Sequence, residues 1–142
     1  MKLDRRLVLK LGVVALIGVL VLVAGYTALS WNMPINRLKR ALTDKRSYQS
    51  ETDWFGDYSQ YIVGDLRPGR SFEELAGILE LKERTEGRLP ESMLGWSLEP
   101  DEAPWWQPPA VFDEIYYRGE KGGYQELLGR VGDRVYYAWD SW

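Results

Sequence analysis

An uninterrupted apolar stretch near the N-terminus, residues 11–30 (LGVVALIGVLVLVAGYTALS), constrains this chain more than any other feature. It contains no charged side chain, and as a helix rising ~1.5 Å per residue it reaches across the ~30 Å hydrocarbon core of a bilayer. A core helix this apolar would need a much larger protein around it. We therefore predict one transmembrane helix over residues 11–30, preceded by a short basic tail over residues 1–10, with the lipid bilayer as its partner.

The N-terminus also matches two kinds of export signal. The basic tail, the apolar run and Ala28-Leu29-Ser30 fit a cleavable signal peptide, and Arg5-Arg6 fits the twin-arginine address. The apolar run is longer than the ~7–15 residues that are usual in signal peptides. A retained signal-anchor is therefore the favoured interpretation, and a cleaved signal peptide is the alternative.

The orientation of the span depends on the cations at its two ends. Four lysines and arginines precede the apolar stretch, and five follow it: Arg37, Lys39, Arg40, Lys45 and Arg46. The count decides nothing by itself. Because a short basic N-terminus that leads directly into an apolar segment is the usual start of an N-inside anchor, we expect a bacterial inner-membrane protein whose C-terminal domain lies outside the cytoplasm.

The composition of the chain excludes several kinds of chemistry. Cysteine and histidine are both absent, so disulfides, thiol nucleophiles, the common zinc ligand sets and histidine-based triads are excluded. Residues 31–142 hold 14 lysines and arginines against 20 carboxylates, which disfavours nucleic-acid binding. We expect neither a cofactor nor a metal site.

The segment after the span, residues 31–48, predicts a basic amphipathic helix. Pro34 suits a first helical turn, and Ile35, Leu38 and Leu42 recur at helical spacing. The five cations named above lie on the same segment. They fit either a surface that rests on anionic headgroups or an ordinary solvated helix face, and the sequence leaves both interpretations open.

Residues 49–142 predict one small domain. Residues 58–66 predict a strand, and Ser71 with Glu74 forms a capping box that starts a helix over residues 71–86, which Gly87 and Pro90 end. Residues 89–110 contain five of the seven prolines and predict an extended acidic connection.

Three β-rich runs, residues 111–118, 124–131 and 134–142, complete the chain. Gly132-Asp133 predicts a type II′ hairpin. It places Val131 opposite Arg134, Leu128 opposite Tyr137 and Glu126 opposite Trp139. The expected fold class is α+β, with a three-stranded antiparallel meander packed on one or two helices.

Both faces of this meander are predicted to be partly apolar. One face carries Tyr116, Leu128, Tyr137 and Trp139, and the other carries Ile115, Tyr117, Leu127, Tyr136 and Ala138. One face should pack on the helix that begins at Ser71. The other needs a cover, which is either the Trp105-Trp106 segment or a second protein.

Two groups of residues are candidates for function. Neighbouring carboxylates occur at Glu73-Glu74, Asp101-Glu102 and Asp113-Glu114, but a glycoside hydrolase needs two carboxylates ~5–9.5 Å apart across a cleft, and adjacency does not establish that. Aromatic residues offer a ligand or partner surface. That surface combines Trp105, Trp106 and Gln107 with Tyr116, Tyr137 and Trp139, although the two adjacent tryptophans fit a core role as well.

The leading functional hypothesis is a single-pass envelope protein whose domain is a non-enzymatic interaction or accessory module. Another membrane or envelope protein is its expected partner. The alternative is a cell-wall or glycan-binding module that uses Trp105 and Trp106. A carboxylate-based hydrolase is the third hypothesis.

Overall fold

The structure is a computed structural model, and it describes residues 5–50, 58–88, 103–120 and 123–141. The chain divides into two compact units, residues 1–37 and residues 38–142. Helices and strands within the described residues are numbered in chain order. They are α1 Arg5–Asn32, α2 Pro34–Ala41, β1 Leu42–Gln49, β2 Tyr58–Leu66, α3 Phe72–Ile78, β3 Glu83–Gly87, β4 Phe112–Glu120, β5 Tyr124–Val131 and β6 Arg134–Ser141.

Helix α1 contains the predicted apolar segment. Its part from Leu11 to Asn32, 22 residues, is long and apolar enough to cross a membrane. The large apolar side chains along it are exposed, as Leu22 shows with 74% of its surface accessible. The prediction of a helix of spanning length is confirmed, although a signal sequence near the N-terminus can meet the same criteria of length and composition.

The basic helix predicted over residues 31–48 is wrong beyond its first turns. Helix α2 does begin at Pro34, but it ends at Ala41, and residues 42–49 form strand β1. Asp44 has a left-handed φ of 43° and lies where the β1–β2 register shifts. Pairing with β2 satisfies the backbone of this segment, so a tertiary contact overrides the local helical spacing. Lys45 and Arg46 therefore lie on a strand rather than on a helix.

The described sheet has six antiparallel strands in the order β1-β2-β6-β5-β4-β3, not the three of the predicted meander. The α+β class is confirmed, and the predicted strands near residues 58–66, 111–118, 124–131 and 134–142 are all present. Strand β2 pairs with the open edge of β6, and β3 pairs with the open edge of β4. These pairings cover the two edges that an isolated meander would expose.

Helix α3 begins where the sequence predicts. Ser71 is its N-cap, and the Ser71 hydroxyl accepts a hydrogen bond from the N–H of Glu74 at 3.1 Å. The carboxylate of Glu74 pairs with Arg70, one turn earlier. The capping role of Ser71 is confirmed.

The end of α3 differs from the prediction, because the helix stops at Ile78 instead of Glu86. A Schellman motif ends it: the N–H of Leu81 donates to the carbonyl of Ala76 at 3.0 Å, and the N–H of Glu80 donates to the carbonyl of Gly77 at 3.3 Å. Glu80 takes the left-handed φ of 58° that this motif requires. The chain then reverses and forms β3.

The predicted β5–β6 hairpin is confirmed in every pair. Val131 faces Arg134, Leu128 faces Tyr137 and Glu126 faces Trp139. Gly132 has a φ of 57°, the positive value that the first central position of a type II′ turn needs. A two-residue turn with glycine in that place is therefore enough to set the register.

The two faces of the sheet have different covers. Helix α3 lies on one face, where the Phe72 ring is 5.7 Å from the Tyr116 ring. Residues 103–106 lie on the other face, within a separate core cluster. That cluster consists of Tyr61, Val63, Ala103, Trp106, Phe112, Ile115, Leu127 and Ala138, with Tyr48, Trp105, Tyr117 and Tyr136 packed against it.

Candidate functional site

The predicted partner surface does not form as one surface. Trp105 and Trp106 lie on the face that carries Tyr61, whereas Trp139 lies on the opposite face, because it pairs with Gln60, the neighbour of Tyr61 in β2. Tyr116 and Tyr137 lie on the same face as Trp139. The six predicted residues are therefore divided into two groups of three.

Trp106 belongs to the core rather than to a surface. Its side chain is 3% exposed, and its ring lies 5.1 Å from Tyr61 and 5.8 Å from Tyr136. Trp105 is half-buried and meets Trp106 edge to face at 6.4 Å. Gln107 is exposed, and its amide donates to the carbonyl of Pro104 at 3.3 Å. The sequence left two possible covers for this face, the Trp105-Trp106 segment or a second protein. In the structure the Trp105-Trp106 segment lies on it.

A buried polar cluster lies on the α3 face, between strands β4, β5 and β6. The Glu126 carboxylate forms an ion pair with Arg118 at 2.6 Å and accepts a hydrogen bond from the Tyr137 hydroxyl at 2.9 Å. Burial, and next the charge of Glu126, raises the pKa of Tyr137 well above its ordinary value. We call these three residues the Glu126 cluster.

Beside the Glu126 cluster lies a pair of half-buried aromatic rings. Tyr58 and Trp139 are 4.7 Å apart, and the Tyr58 hydroxyl donates to the side-chain oxygen of Gln60 at 3.3 Å. Gln60 is buried and pairs with Trp139, which in turn pairs with Glu126. Aromatic rings next to planar polar groups can bind a sugar or a polar peptide segment.

The sequence indicates Trp139, with Glu126 opposite it, but not its other neighbours. Tyr58, Gln60 and Arg118 come beside it only because β2 pairs with β6 and β4 pairs with β5. In a strand over residues 58–66, alternation of side chains puts Tyr58 and Gln60 on one face. What the sequence lacked was the partner strand of β2.

A second buried carboxylate, Glu114, lies farther along the same face. It is 3% exposed and forms ion pairs with Arg84 at 2.7 Å and with Arg130 at 3.2 Å. Glu114 and Arg118 are four residues apart on β4, so the backbone positions of Glu114 and Glu126 lie roughly 13 Å apart along the strand. Arginine ion pairs hold each carboxylate.

Other carboxylates of the predicted pairs have structural contacts. Backbone and Ser71 hydrogen bonds lower the pKa of Glu73 at the start of α3, and Asp113 accepts a hydrogen bond from the N–H of Gly132 at 2.7 Å. Asp101 and Glu102 lie outside the described residues. Within the described ranges, carboxylates do not gather into a group that could hold a metal ion.

The predicted basic surface is divided between two elements. Arg37, Lys39 and Arg40 belong to α2, and Lys45 and Arg46 are exposed on β1. Burial, and next the charge of Lys45, lowers the pKa of Lys39. Lys39 and Lys45 therefore lie close enough to repel each other.

Comparison with protein-family models, with curated proteins and with solved structures finds no match to this chain.

Proposed function

We propose that this chain is a single-pass membrane protein of a bacterial-type envelope, whose domain is a non-enzymatic interaction or accessory module. The observation that carries the proposal is the exposed apolar surface of residues Leu11–Asn32. An apolar helix of this length is stable when lipid surrounds it, because water would make the exposure of so many apolar side chains costly. The partner is another membrane or envelope protein near the bilayer surface.

The retained anchor is tested by alkaline extraction of membranes from cells that express the chain, followed by mass measurement of the membrane-bound product. We expect the full-length mass in the membrane pellet. A control with Leu16→Glu and Leu20→Glu places two charges at the middle of the span and should move the chain into the soluble fraction. A soluble product that begins near Trp31 shows that the segment is a cleaved signal peptide instead.

The proposed orientation has the N-terminus in the cytoplasm and the domain outside. Because the chain has no cysteine, Gln49→Cys and Lys2→Cys each introduce a unique thiol. A membrane-impermeant maleimide applied to spheroplasts should label the Gln49→Cys variant before lysis and the Lys2→Cys variant only afterwards. The reverse pattern overturns the orientation and leaves the anchor intact.

Glycan binding is the second candidate function, and the contact between Tyr58 and Trp139 supports it. These rings lie next to Gln60 and the Glu126 cluster, whereas Trp106 is enclosed in the core. The site of a glycan module would therefore be the Tyr58–Trp139 pair rather than the Trp105–Trp106 segment of the original hypothesis.

Pull-down of the solubilised chain with peptidoglycan fragments tests this candidate. Trp139→Ala should abolish retention, whereas Trp105→Ala, a half-buried tryptophan on the opposite face, should preserve it. Loss of retention in Trp105→Ala alone returns the site to the Trp105 segment, and absence of retention by the wild type removes the candidate. Glycan turnover that is lost on replacement of a single carboxylate would instead favour the hydrolase hypothesis; the buried carboxylates Glu114 and Glu126 are each held by arginine ion pairs.

A further inference from the structure

The cations of the second unit differ in whether a carboxylate neutralises them. Among the residues that the structure describes, ion pairs are formed by Arg70, Arg84, Arg118, Arg130 and Arg134. Within the described ranges, Lys39, Lys45, Arg46 and Arg67 form none, and the last three are exposed. We call these four residues the β1 basic surface.

The fold brings the members of the β1 basic surface together from distant positions in the sequence. Leu42 pairs with Leu66, and the N–H of Arg67 donates to the carbonyl of Ala41 at 3.0 Å. The backbone of Arg67 therefore lies beside the junction of α2, which carries Lys39, and β1, which carries Lys45 and Arg46. Strand β1 is also the last strand of the described sheet on this side, so its outer edge is open to a ligand.

Two other carboxylates near these residues are already paired with arginines, which leaves Asp44 as the one carboxylate on the segment that carries Lys39, Lys45 and Arg46. Asp65, opposite Thr43 in the β1–β2 ladder, binds Arg134 at 2.9 Å, and Glu74 binds Arg70. Burial, and next repulsion from the charge of Lys45, lowers the pKa of Lys39. An anionic ligand would relieve the repulsion between the two lysines.

Positive charge is concentrated at the beginning of the domain, and negative charge predominates in the remainder. Residues 31–46 contain five cations and one carboxylate, whereas residues 47–142 contain nine cations and 19 carboxylates. An anionic surface would therefore attract the beginning of the domain and repel the remainder. Such a distribution orients a domain against a negatively charged plane.

The membrane that holds the proposed anchor would supply such a plane, and the anchor keeps it close to the domain. Lys39 follows Asn32 by seven residues, so the covalent connection alone keeps it within about 25 Å of the end of the anchor, even for a fully extended chain. Tethering on this scale gives a high effective concentration of headgroups at the domain.

We propose that the β1 basic surface docks on anionic lipid headgroups of the membrane that holds the anchor, and so fixes how the domain faces its partners. This inference rests on the proposed membrane anchor. Lys39, Lys45, Arg46 and Arg67 contact headgroup phosphates, and the open edge of β1 faces the bilayer.

The test uses the full chain reconstituted in vesicles, with a donor fluorophore on Gln49→Cys and an acceptor on the lipid headgroups. One set of vesicles is pure phosphatidylcholine, and the other contains about a third phosphatidylglycerol, whose charge attracts each nearby cation by ~1 kcal/mol, about fivefold in binding. Both leaflets have the same composition, so the result does not depend on orientation. Energy transfer should be higher with the anionic lipid and should fall when salt is added.

Two variants with the same change of charge identify the surface. Lys45→Gln with Arg46→Gln should lower the ratio of docked to undocked domain by about 30-fold. Lys82→Gln with Arg88→Gln, two exposed cations at the opposite edge of the sheet, should leave the ratio close to that of the wild type.

Equal energy transfer in the two lipids, or an equal loss in the two variants, overturns the docking proposal. Vesicle flotation of each sample separates this failure from failure of the anchor. A chain that floats with the vesicles but gives the same energy transfer in both lipids retains its anchor and has no docking surface. A chain that does not float has lost the anchor on which the inference depends.

Discussion

Gly129 lies directly beneath the ring of Phe112. A Cβ atom at position 129 would be 2.5 Å from Cε1 and 2.6 Å from Cδ1 of Phe112. The Phe112 ring is buried and meets Tyr136 edge to face at 5.8 Å. It therefore has little room to move away, and the glycine is required for packing rather than for its backbone freedom.

Gly129→Ala should destabilise the domain by about 1–3 kcal/mol, because the added methyl overpacks the core. Gly119→Ala is the matched control, since position 119 is also in a strand and its nearest neighbour would be Cγ of Gln125 at 3.7 Å. The control should change stability by less than about 0.5 kcal/mol. Urea unfolding of the detergent-solubilised chain measures both, and equal stability of the two variants would contradict the packing argument.

Arg84 and Arg130 both pair with Glu114, and each should compensate for the loss of the other. Arg84→Ala or Arg130→Ala leaves the buried carboxylate one ion pair, and because both guanidinium groups are partly exposed, Arg84→Ala should cost under about 1 kcal/mol. The double variant leaves Glu114 without a cation, so its cost should exceed the sum of the single costs by roughly 1–3 kcal/mol.

A double-mutant cycle isolates this coupling, because the contact of Arg130 with the Phe72 ring is lost in both the single and the double variant and cancels. Arg70→Ala, which breaks the exposed pair with Glu74, should cost no more than about 0.5 kcal/mol. If the losses of stability in Arg84→Ala and Arg130→Ala simply add in the double variant, the buried Glu114 carboxylate needs no paired cation, and the predicted coupling is contradicted.

Alkaline stability should depend on Tyr137. Because burial and the charge of Glu126 raise its folded-state pKa above the ordinary value of 10.0, the folded chain holds this proton more tightly than the unfolded chain. That contribution to stability is complete below pH 10 and is lost as the pH rises towards the folded pKa.

Tyr137→Phe should therefore flatten the decline of the unfolding free energy above pH 10 and cost about 1.5–3 kcal/mol at neutral pH, where the hydrogen bond to the Glu126 carboxylate is lost. Glu126→Gln removes the charge but keeps the buried phenol, so its alkaline decline should lie between those of the wild type and Tyr137→Phe. Unfolding measured as a function of pH gives all three profiles. An unchanged alkaline slope in Tyr137→Phe would assign the decline to other tyrosines.

Trp105 and Trp106 should differ in their contribution to stability. Trp106→Ala opens a cavity against Tyr61 and Tyr136 and should cost about 3–5 kcal/mol. Trp105→Ala removes a half-buried ring and should cost no more than about 2 kcal/mol. Thermal unfolding followed by near-ultraviolet circular dichroism compares them, and an equal loss in melting temperature would show that Trp105 is also a core residue.

Elements with strong local signals could be predicted from the sequence. The Ser71 cap, the start of α2 at Pro34 and the Gly132 turn each depend on residues that are adjacent or nearly adjacent in the chain. The β5–β6 register follows from the turn alone. Neither the extent of β1 nor the end of α3 has such a signal.

Long-range pairing explains those two failures. Residues 42–49 are mostly polar and follow a segment with helical spacing, yet they form a strand because the edge of β2 is available. Glu80 carries no residue-type signal for a left-handed turn, a conformation that costs a non-glycine residue about 1–2 kcal/mol. Burial of Leu79 and Leu81 and the pairing of β3 with β4 offset that cost.

The residues of the candidate site also divide into those that the sequence identifies and those that only the tertiary structure identifies. The sequence alone identified the aromatic residues and the basic segment, since composition and periodicity are visible in it. Only the tertiary structure decided that Trp106 is core, that Trp139 meets Tyr58, and that Arg67 lies beside Ala41 at the start of β1. The apolar span needs no partner within the chain to be recognised, because its length and lack of charge are sufficient. The strand order and the neighbours of each side chain depend on contacts between distant residues, which local sequence does not encode.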